Sequence, residues 1–150
     1  MIVLRAATAA DQPIIKRIIN EAGINPMGLS WPNFLLAVDE ATGEVVGTGQ
    51  IKPHGDGSRE LASIATAPAY QRQGIAHLII ERLLADNPGD MYLTCVNTMG
   101  PFYVQFGFRE IDGDELTPYF RRLKKMAKAM MWLDQQGRSL WVMKRDAPDG

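Results

Sequence analysis

The sequence holds one cysteine and two histidines, and none of its apolar runs approaches the roughly eighteen residues that a membrane helix needs. A single cysteine excludes an intrachain disulfide and the cysteine-rich zinc modules, and it suits a reducing compartment. Charge of one sign is also missing: 16 Lys and Arg stand against 17 Asp and Glu, a net charge of -1. That balance argues against a dedicated nucleic-acid binder, which carries a basic excess on its domain. Internal repeats and low-complexity tracts are absent too, which excludes solenoids and disordered linkers. The opening Met1-Ile2-Val3-Leu4-Arg5 meets a charge before a signal-type hydrophobic region forms, so the expectation is a cytoplasmic chain without membrane contact. What is present is ordinary globular usage: 150 residues, 46% hydrophobic and 22% charged. One domain over residues 1–150, large enough to bury its own core, is expected.

Hydrophobic periodicity and turn residues set the elements. Residues 2–6 read as a strand, and Thr8 with Asp11 opens a helix whose Ile14, Ile15, Ile18, Ile19 and Ala22 recur at helical spacing up to Gly23. Residues 24–33 are dense in turn formers. Phe34–Asp39 and Val45–Lys52 read as an antiparallel hairpin, followed by a turn over 53–58 and a strand from Glu60 to about Thr66. A helix from Gly74 to about Asp86 and a strand Met91–Val96 complete a parallel strand–helix–strand unit. A short helix over Pro101–Phe106, a strand Phe108–Ile111, a helix capped by Thr117 with Pro118 at its first position, and a strand Ser139–Lys144 follow. The last helix carries a stripe through Tyr119, Phe120, Leu123, Met126, Ala127, Met130 and Leu133, ended by Gly137. The fold class is therefore α/β, a mixed and partly antiparallel sheet flanked by helices.

Chemistry concentrates between Glu60 and Ala76. A strand ends, a loop turns, and a helix begins at a glycine. The first amides of a helix lack internal partners and point outward at the positive end of its dipole. Gln71-Arg72-Gln73-Gly74-Ile75-Ala76 thus offers a row of N–H donors to a phosphate or pyrophosphate, with Gly74 and Ala76 keeping the approach open and Arg72 adding charge. The plainer alternative is a turn whose glycine only eases the backbone. The three-glycine dinucleotide pattern and the Gly-Lys-Ser/Thr of a P-loop are both missing.

This run resembles the central motif of the GNAT superfamily of acyl-coenzyme-A-dependent N-acetyltransferases, in which a strand precedes a Gln/Arg-x-x-Gly-x-Gly/Ala loop opening a helix. A second stretch, Asn97 followed by Pro101-Phe102-Tyr103-Val104-Gln105-Phe106-Gly107-Phe108, is similar to the family's Phe-Tyr-x-x-x-Gly-Phe helix. The element order over residues 2–111 fits as well. Ala76 stands where glycine is commoner, and the long basic helix after residue 112 is not demanded by the family core.

The resemblance implies acetyl-CoA as co-substrate and a small-molecule or peptide amine as acceptor; no metal is expected, because no side chains stand at metal-ligand spacing. It implies that the backbone of Ile64, Ala65 and Thr66 pairs with the pantetheine arm, that amides from Gln71 to Ala76 hold the pyrophosphate, and that Asn97 touches the cofactor. Glu60 is then the candidate general base and Tyr103 the general acid for the leaving thiolate. The structural alternatives are a solvated Glu60 paired with Arg59, and a Tyr103 that only packs. A non-catalytic acyl-CoA sensor is the rival function: it needs the amides but neither titratable group.

Other residues read as structural. Cys95 inside its strand is expected to be a small buried group, and His54 and His77 to be solvent-facing or structural, without metal-ligand spacing. Arg121, Arg122, Lys124, Lys125 and Lys128 form a basic cluster expected to be a solvated helix face, or else to meet an acidic substrate or partner. Met126, Met130 and Met131 beside Trp132 are expected in the core, an oligomer contact being the alternative. Dimers being common in such folds, a homodimer stays open.

Overall fold

The computed structural model describes residues 1–131 and 137–148. They form two compact units, one from Met1–Lys52 with Leu61–Asn87, the other from Pro53–Glu60 with Pro88 onward. Elements are numbered in chain order.

The first unit contains β1 (Ile2–Ala6), α1 (Gln12–Ala22), β2 (Phe34–Asp39), most of β3 (Glu44–Pro53), most of β4 (Arg59–Thr66) and α2 (Ile75–Asp86). β1 and β2 pair antiparallel from Ile2↔Asp39 to Ala6↔Leu35, and β2 and β3 form the expected hairpin, with a register shift between Ala37 and Val38. Helical spacing turns Ile15, Ile18 and Ile19 of α1 onto Phe34, Leu36, Ala7 and Ala65, where all are buried. Each such side chain contributes about 1.5–3 kcal/mol by leaving water. Gly23, at φ +69°, ends α1 in the left-handed conformation.

β3 owes its glycines to a helix. A Cβ on Gly49 would lie 2.5 Å from Ile79 Cγ2, and one on Gly47 would lie 2.7 Å from Ile75 Cγ2. α2 therefore rests directly on the β3 backbone, which fixes where its first turn sits.

In the second unit, Glu60 at the start of β4 is in parallel register with Tyr92 of β5 (Met91–Val96). α3 (Gly100–Val104), β6 (Arg109–Ile111), α4 (Pro118–Met131) and β7 (Leu140–Arg145) follow. β7 lies between β5 and β6 and is antiparallel to both. Tyr92, Ile111, Leu116, Phe120 and Val142 form its core. Gly100 has no room for a Cβ against the Trp141 ring, so α3 rests closely on β7. The architecture is mixed α/β, mostly antiparallel with a parallel β4–β5 step. Among the described residues no helix is long and apolar enough to cross a membrane.

Two expectations about α4 are corrected. Its apolar stripe is buried only in the first turns: Phe120 is fully buried, whereas Met126 is 62% and Met130 74% exposed. Trp132 and Leu133 lie outside the described residues, as does the Met131 side chain. The side-chain cap comes from far along the chain instead of from Thr117. Asp56 Oδ2 accepts the Tyr119 amide at 3.0 Å, while Thr117 contributes its carbonyl to Arg121 N at 2.9 Å. Asp56 Oδ1 also accepts the Ser58 amide at 2.9 Å, and the turn is closed by His54 N donating to Ser58 O at 2.9 Å. Bonds from Ser58 and from the Tyr119 amide hold the Asp56 carboxyl well below the usual carboxylate range.

Asp56→Ala should therefore lower stability by about 1 kcal/mol, the usual cost of a lost helix cap, measured by denaturant unfolding. Because the folded state depresses this pKa, the wild-type advantage should be complete above the ordinary aspartate range, near pH ~4, and shrink as pH falls below it. An advantage that persists undiminished at acid pH would show that the carboxylate is not its source.

Candidate active site

The loop between β4 and α2 lies wholly in the first unit. A short 3-10 turn over Pro68–Tyr70 follows β4 and is anchored by Ala67 N donating to Val46 O at 2.8 Å and by Tyr70 OH donating to Asp39 Oδ2 at 2.8 Å. The chain then takes two left-handed steps, Arg72 at φ +64° and Gly74 at φ +81°. Gly74 is the N-cap of α2 and accepts from Leu78 N at 3.1 Å. The Gln71 amide reaches Pro68 O at 3.4 Å, and its side chain donates to Thr66 O at 3.3 Å. The amides of Arg72, Gln73, Gly74, Ile75 and Ala76 have no internal acceptor among the described residues. A Cβ built on Gly74 would meet nothing within 4 Å. The loop is thus an open set of donors at a helix start, suited to an anion.

Upstream, β4 carries an irregularity that the sequence did not announce. Ser63 has φ +57° in mid-strand. Two fully buried β3 side chains hold it: Thr48 Oγ1 donates to Ser63 O at 2.8 Å, and Gln50 Nε2 donates to Ser63 Oγ at 2.8 Å. Gln50 Nε2 also reaches Gly28 O at 3.1 Å, and its Oε1 is buried without a partner among the described residues. Lys52 Nζ donates to Met27 O at 3.0 Å and Trp31 N to Gln12 Oε1 at 3.0 Å, so the loop over 24–33 is pinned to β3 and α1. Ile64, Ala65 and Thr66 come directly after Ser63. Ala65 points into the core, while Ile64 and Thr66 are half-buried.

The second unit holds the titratable candidates. Glu60 is only 6% exposed, and its Oε1 is 2.8 Å from His54 Nε2. His54 is therefore not solvent-facing, and it is bonded to Glu60, while Arg59 donates to the carbonyls of Pro88 and Asp90 at 2.6 and 3.3 Å. Tyr103 on α3 packs edge-on against Phe102 and Phe108, with centroids 5.1 and 6.3 Å away. Burial, with a contribution from Cys95, pushes its phenol up to about 12. Asn97 is locked to the start of β7, its amide donating to Ser139 O at 2.9 Å and its Oδ1 accepting Ser139 N at 3.1 Å. Cys95 pairs with Trp141 in the sheet, and burial pushes its thiol up to about 11. His77 bonds Glu81 on the exposed face of α2 at 2.9 Å. No group of three or more potential metal ligands gathers among the described residues.

The basic face of α4 is partly tied down. Lys124 Nζ is 3.2 Å from Asp112 Oδ1, and Lys124 and Lys128 line a cleft of about 390 Å3 with Arg138 and Trp141. Sequence reasoning missed three contributors: His54, Ser63 and Gln50. The turn at 53–58 was the one available signal for His54, since a tight reversal returns residue 54 toward residue 60.

Residues 30–110 match a family model described as an acetyltransferase (GNAT) domain. A curated relative, an amino-acid acetyltransferase of Mycobacterium tuberculosis, is 30% identical, over 77% of this chain and 72% of the relative. Among solved structures, a Mycobacterium tuberculosis protein in complex with CoA and NLQ aligns with a TM-score of 0.70 at 23% identity, covering 96% of this chain and 98% of that one. The N-acetylglutamate synthase of Neisseria gonorrhoeae, complexed with coenzyme A and N-acetyl-glutamate, aligns with a TM-score of 0.76 at 19% identity, over 98% of this chain and 35% of that one. These two structures speak to the fold.

Gly74→Glu separates an anion site from a mere turn. It should abolish binding of acetyl-CoA in calorimetry, because a carboxylate would stand among the free amides. Gly74→Ala carries the left-handed strain alone, about 1–2 kcal/mol, and should retain measurable affinity. Equal affinity of Gly74→Glu and Gly74→Ala would remove the loop from the site.

Proposed function

The chain belongs to the GNAT acetyltransferase family, and from that premise we propose that it moves an acetyl group from acetyl-CoA to a primary amine by direct attack. The observation that carries this reading is the row of amides at the start of α2 that have no internal acceptor among the described residues, in a loop where Arg72 and Gly74 are left-handed. In this reading the amides of the 71–76 loop, with the Arg72 side chain, hold the pyrophosphate. The backbone of Ile64, Ala65 and Thr66 pairs with the pantetheine arm, and Asn97 contacts the cofactor. The relative named as an amino-acid acetyltransferase supports the α-amino group of a small amino acid as acceptor.

Amine acetylation faces a protonation problem. A lysine-like ammonium of pKa ~10.4 is only ~0.04% neutral at pH 7, an access cost of roughly 4–5 kcal/mol. An α-ammonium of pKa ~8 is about 10% neutral, a cost of roughly 1.4 kcal/mol. Glu60 is the proposed base, taking one proton from the ammonium on the oxygen that His54 does not occupy. The amine nitrogen then attacks the thioester carbonyl, and N–H groups near Ile64 and Ala65 stabilise the oxyanion. The C–S bond breaks as the C–N bond is completed, and Tyr103 gives its proton to the departing sulfur. The second proton that the nitrogen sheds on becoming an amide restores the Tyr103 phenol, while the proton on Glu60 leaves to water. The raised Tyr103 pKa of about 12 keeps the phenol in the acid form throughout the neutral range.

A panel of amines and amino acids, followed by release of free thiol from acetyl-CoA, tests the activity. Thiol release that depends on an amine, with no acetyl group on the protein by mass spectrometry, is expected. An acetylated protein intermediate would overturn direct attack, and thiol-free binding of acetyl-CoA with every amine would support a sensor. Tyr103→Phe should lower kcat roughly 100-fold or more while acetyl-CoA affinity stays within about twofold. Parallel loss of both would mark a packing residue.

A further inference from the structure

Glu60 is buried, yet only one of its oxygens is engaged. Oε1 meets His54 Nε2 at 2.8 Å, and among the described residues Oε2 has no partner. A carboxylate accepts hydrogen bonds and donates none, so this contact places the imidazole proton on Nε2. The histidine is itself immobilised. Its ring stacks face to face on Tyr119 with centroids 3.6 Å apart and planes at 16°, and meets Phe120 edge-on at 5.6 Å. Tyr119 is in turn fixed through its amide by Asp56, which lies in the same turn as His54. The titratable group coupled to the pair is the Tyr119 phenol, pushed up by burial and by Glu60; the Asp56 carboxylate, in the same turn, is taken up by Ser58 and the Tyr119 amide. The ring is thus held by two aromatic neighbours and by its bond to Oε1.

The geometry points to His54 as a positioning residue for the acetyl-transfer base, a role that rests on the proposed assignment of Glu60. The Nε2–H bond fixes the carboxylate plane and dedicates Oε1 to the protein, so that Oε2 alone is presented to the incoming ammonium. When Oε2 takes the proton, Oε1 becomes the carbonyl oxygen of a carboxylic acid and still accepts from Nε2–H. When that proton leaves, the same bond receives the re-formed carboxylate. The orientation of the base is therefore kept through the cycle, with no rearrangement between turnovers.

The test compares His54→Leu, His54→Gln and His54→Asn in the intact chain, alone and combined with Glu60→Gln, reading kcat, acetyl-CoA affinity and melting temperature. Glutamine carries an N–H near the Nε2 position, whereas asparagine stops short and leucine has none. His54→Leu and His54→Asn should each lower kcat about tenfold or more, with acetyl-CoA affinity unchanged, and His54→Gln should recover it to within about threefold. In the Glu60→Gln background, His54→Leu should cost nothing further, since there is no base left to orient. Wild-type kcat in His54→Leu, failure of glutamine to rescue, or an equal loss in both backgrounds would each overturn the role. Should leucine unfold the chain, the asparagine–glutamine comparison decides in the same way. Retention of kcat by Glu60→Gln itself would instead sink the base assignment, and the role of His54 with it.

Discussion

The first unit depends on a stretch of backbone held against its preference. Ser63 sits in the left-handed region in the middle of a strand, at φ +57°. A non-glycine residue there costs of order 1–3 kcal/mol. Two buried hydrogen bonds from Thr48 and Gln50, each of 2.8 Å and each worth about 1 kcal/mol net, offset it. Strand alternation makes the arrangement possible. Side chains of one strand face opposite sides in turn, so Gly47 and Gly49 of β3 face α2 while Thr48 and Gln50 face the other way. One face has no side chains and admits a helix, and the other is polar and holds a bend. The same Gln50 side chain also binds Gly28 O, which couples the bend in β4 to the pinned loop over 24–33.

The second unit solves a different problem, that of keeping charge where water is scarce. A buried carboxylate without partners is costly enough that it would be neutralised or exposed. Glu60 has a donor in His54, and that donor is braced by the Tyr119 and Phe120 rings. Asp56 joins the two parts of the arrangement. It closes the turn that carries His54 and caps the helix that carries Tyr119. The turn, the start of α4 and Glu60 are thereby one hydrogen-bonded assembly, although Asp56 and Tyr119 are far apart in sequence.

Much of this was legible in the chain, for reasons that can be stated. Isoleucines at helical spacing up to Gly23, the alternation through Val45–Lys52 and the Thr117-Pro118 start are local signals, and the elements appear where those signals lie. The helix start at position 74 was legible because a glycine ends the polar loop just before an apolar-periodic run, although its left-handed φ of +81° was not. Long-range partners were not. Nothing local in Asp56 says that it caps a helix more than fifty residues on, and nothing in Ser63 marks it as left-handed, since serine has no special tolerance for that region. The stripe on α4 erred in another way. Periodicity shows which residues share a face but not how far along the helix the core reaches, and the core ends before Met126.

Two neighbouring groups show how one environment can have opposite chemical consequences. Burial raises both the Cys95 thiol, to about 11 with a contribution from Glu110, and the Tyr103 phenol, to about 12 with a contribution from Cys95. A nucleophilic cysteine must be a thiolate, so the shift takes Cys95 out of contention for covalent catalysis. A general acid must stay protonated until its proton is needed, so the same shift suits Tyr103 to protonate a leaving sulfur. Transfer through a cysteine would therefore have to work against the desolvation of this unit, whereas the proposed direct attack needs no thiolate. The chemistry favoured here follows from where water is excluded, and the identities of the side chains matter through that exclusion.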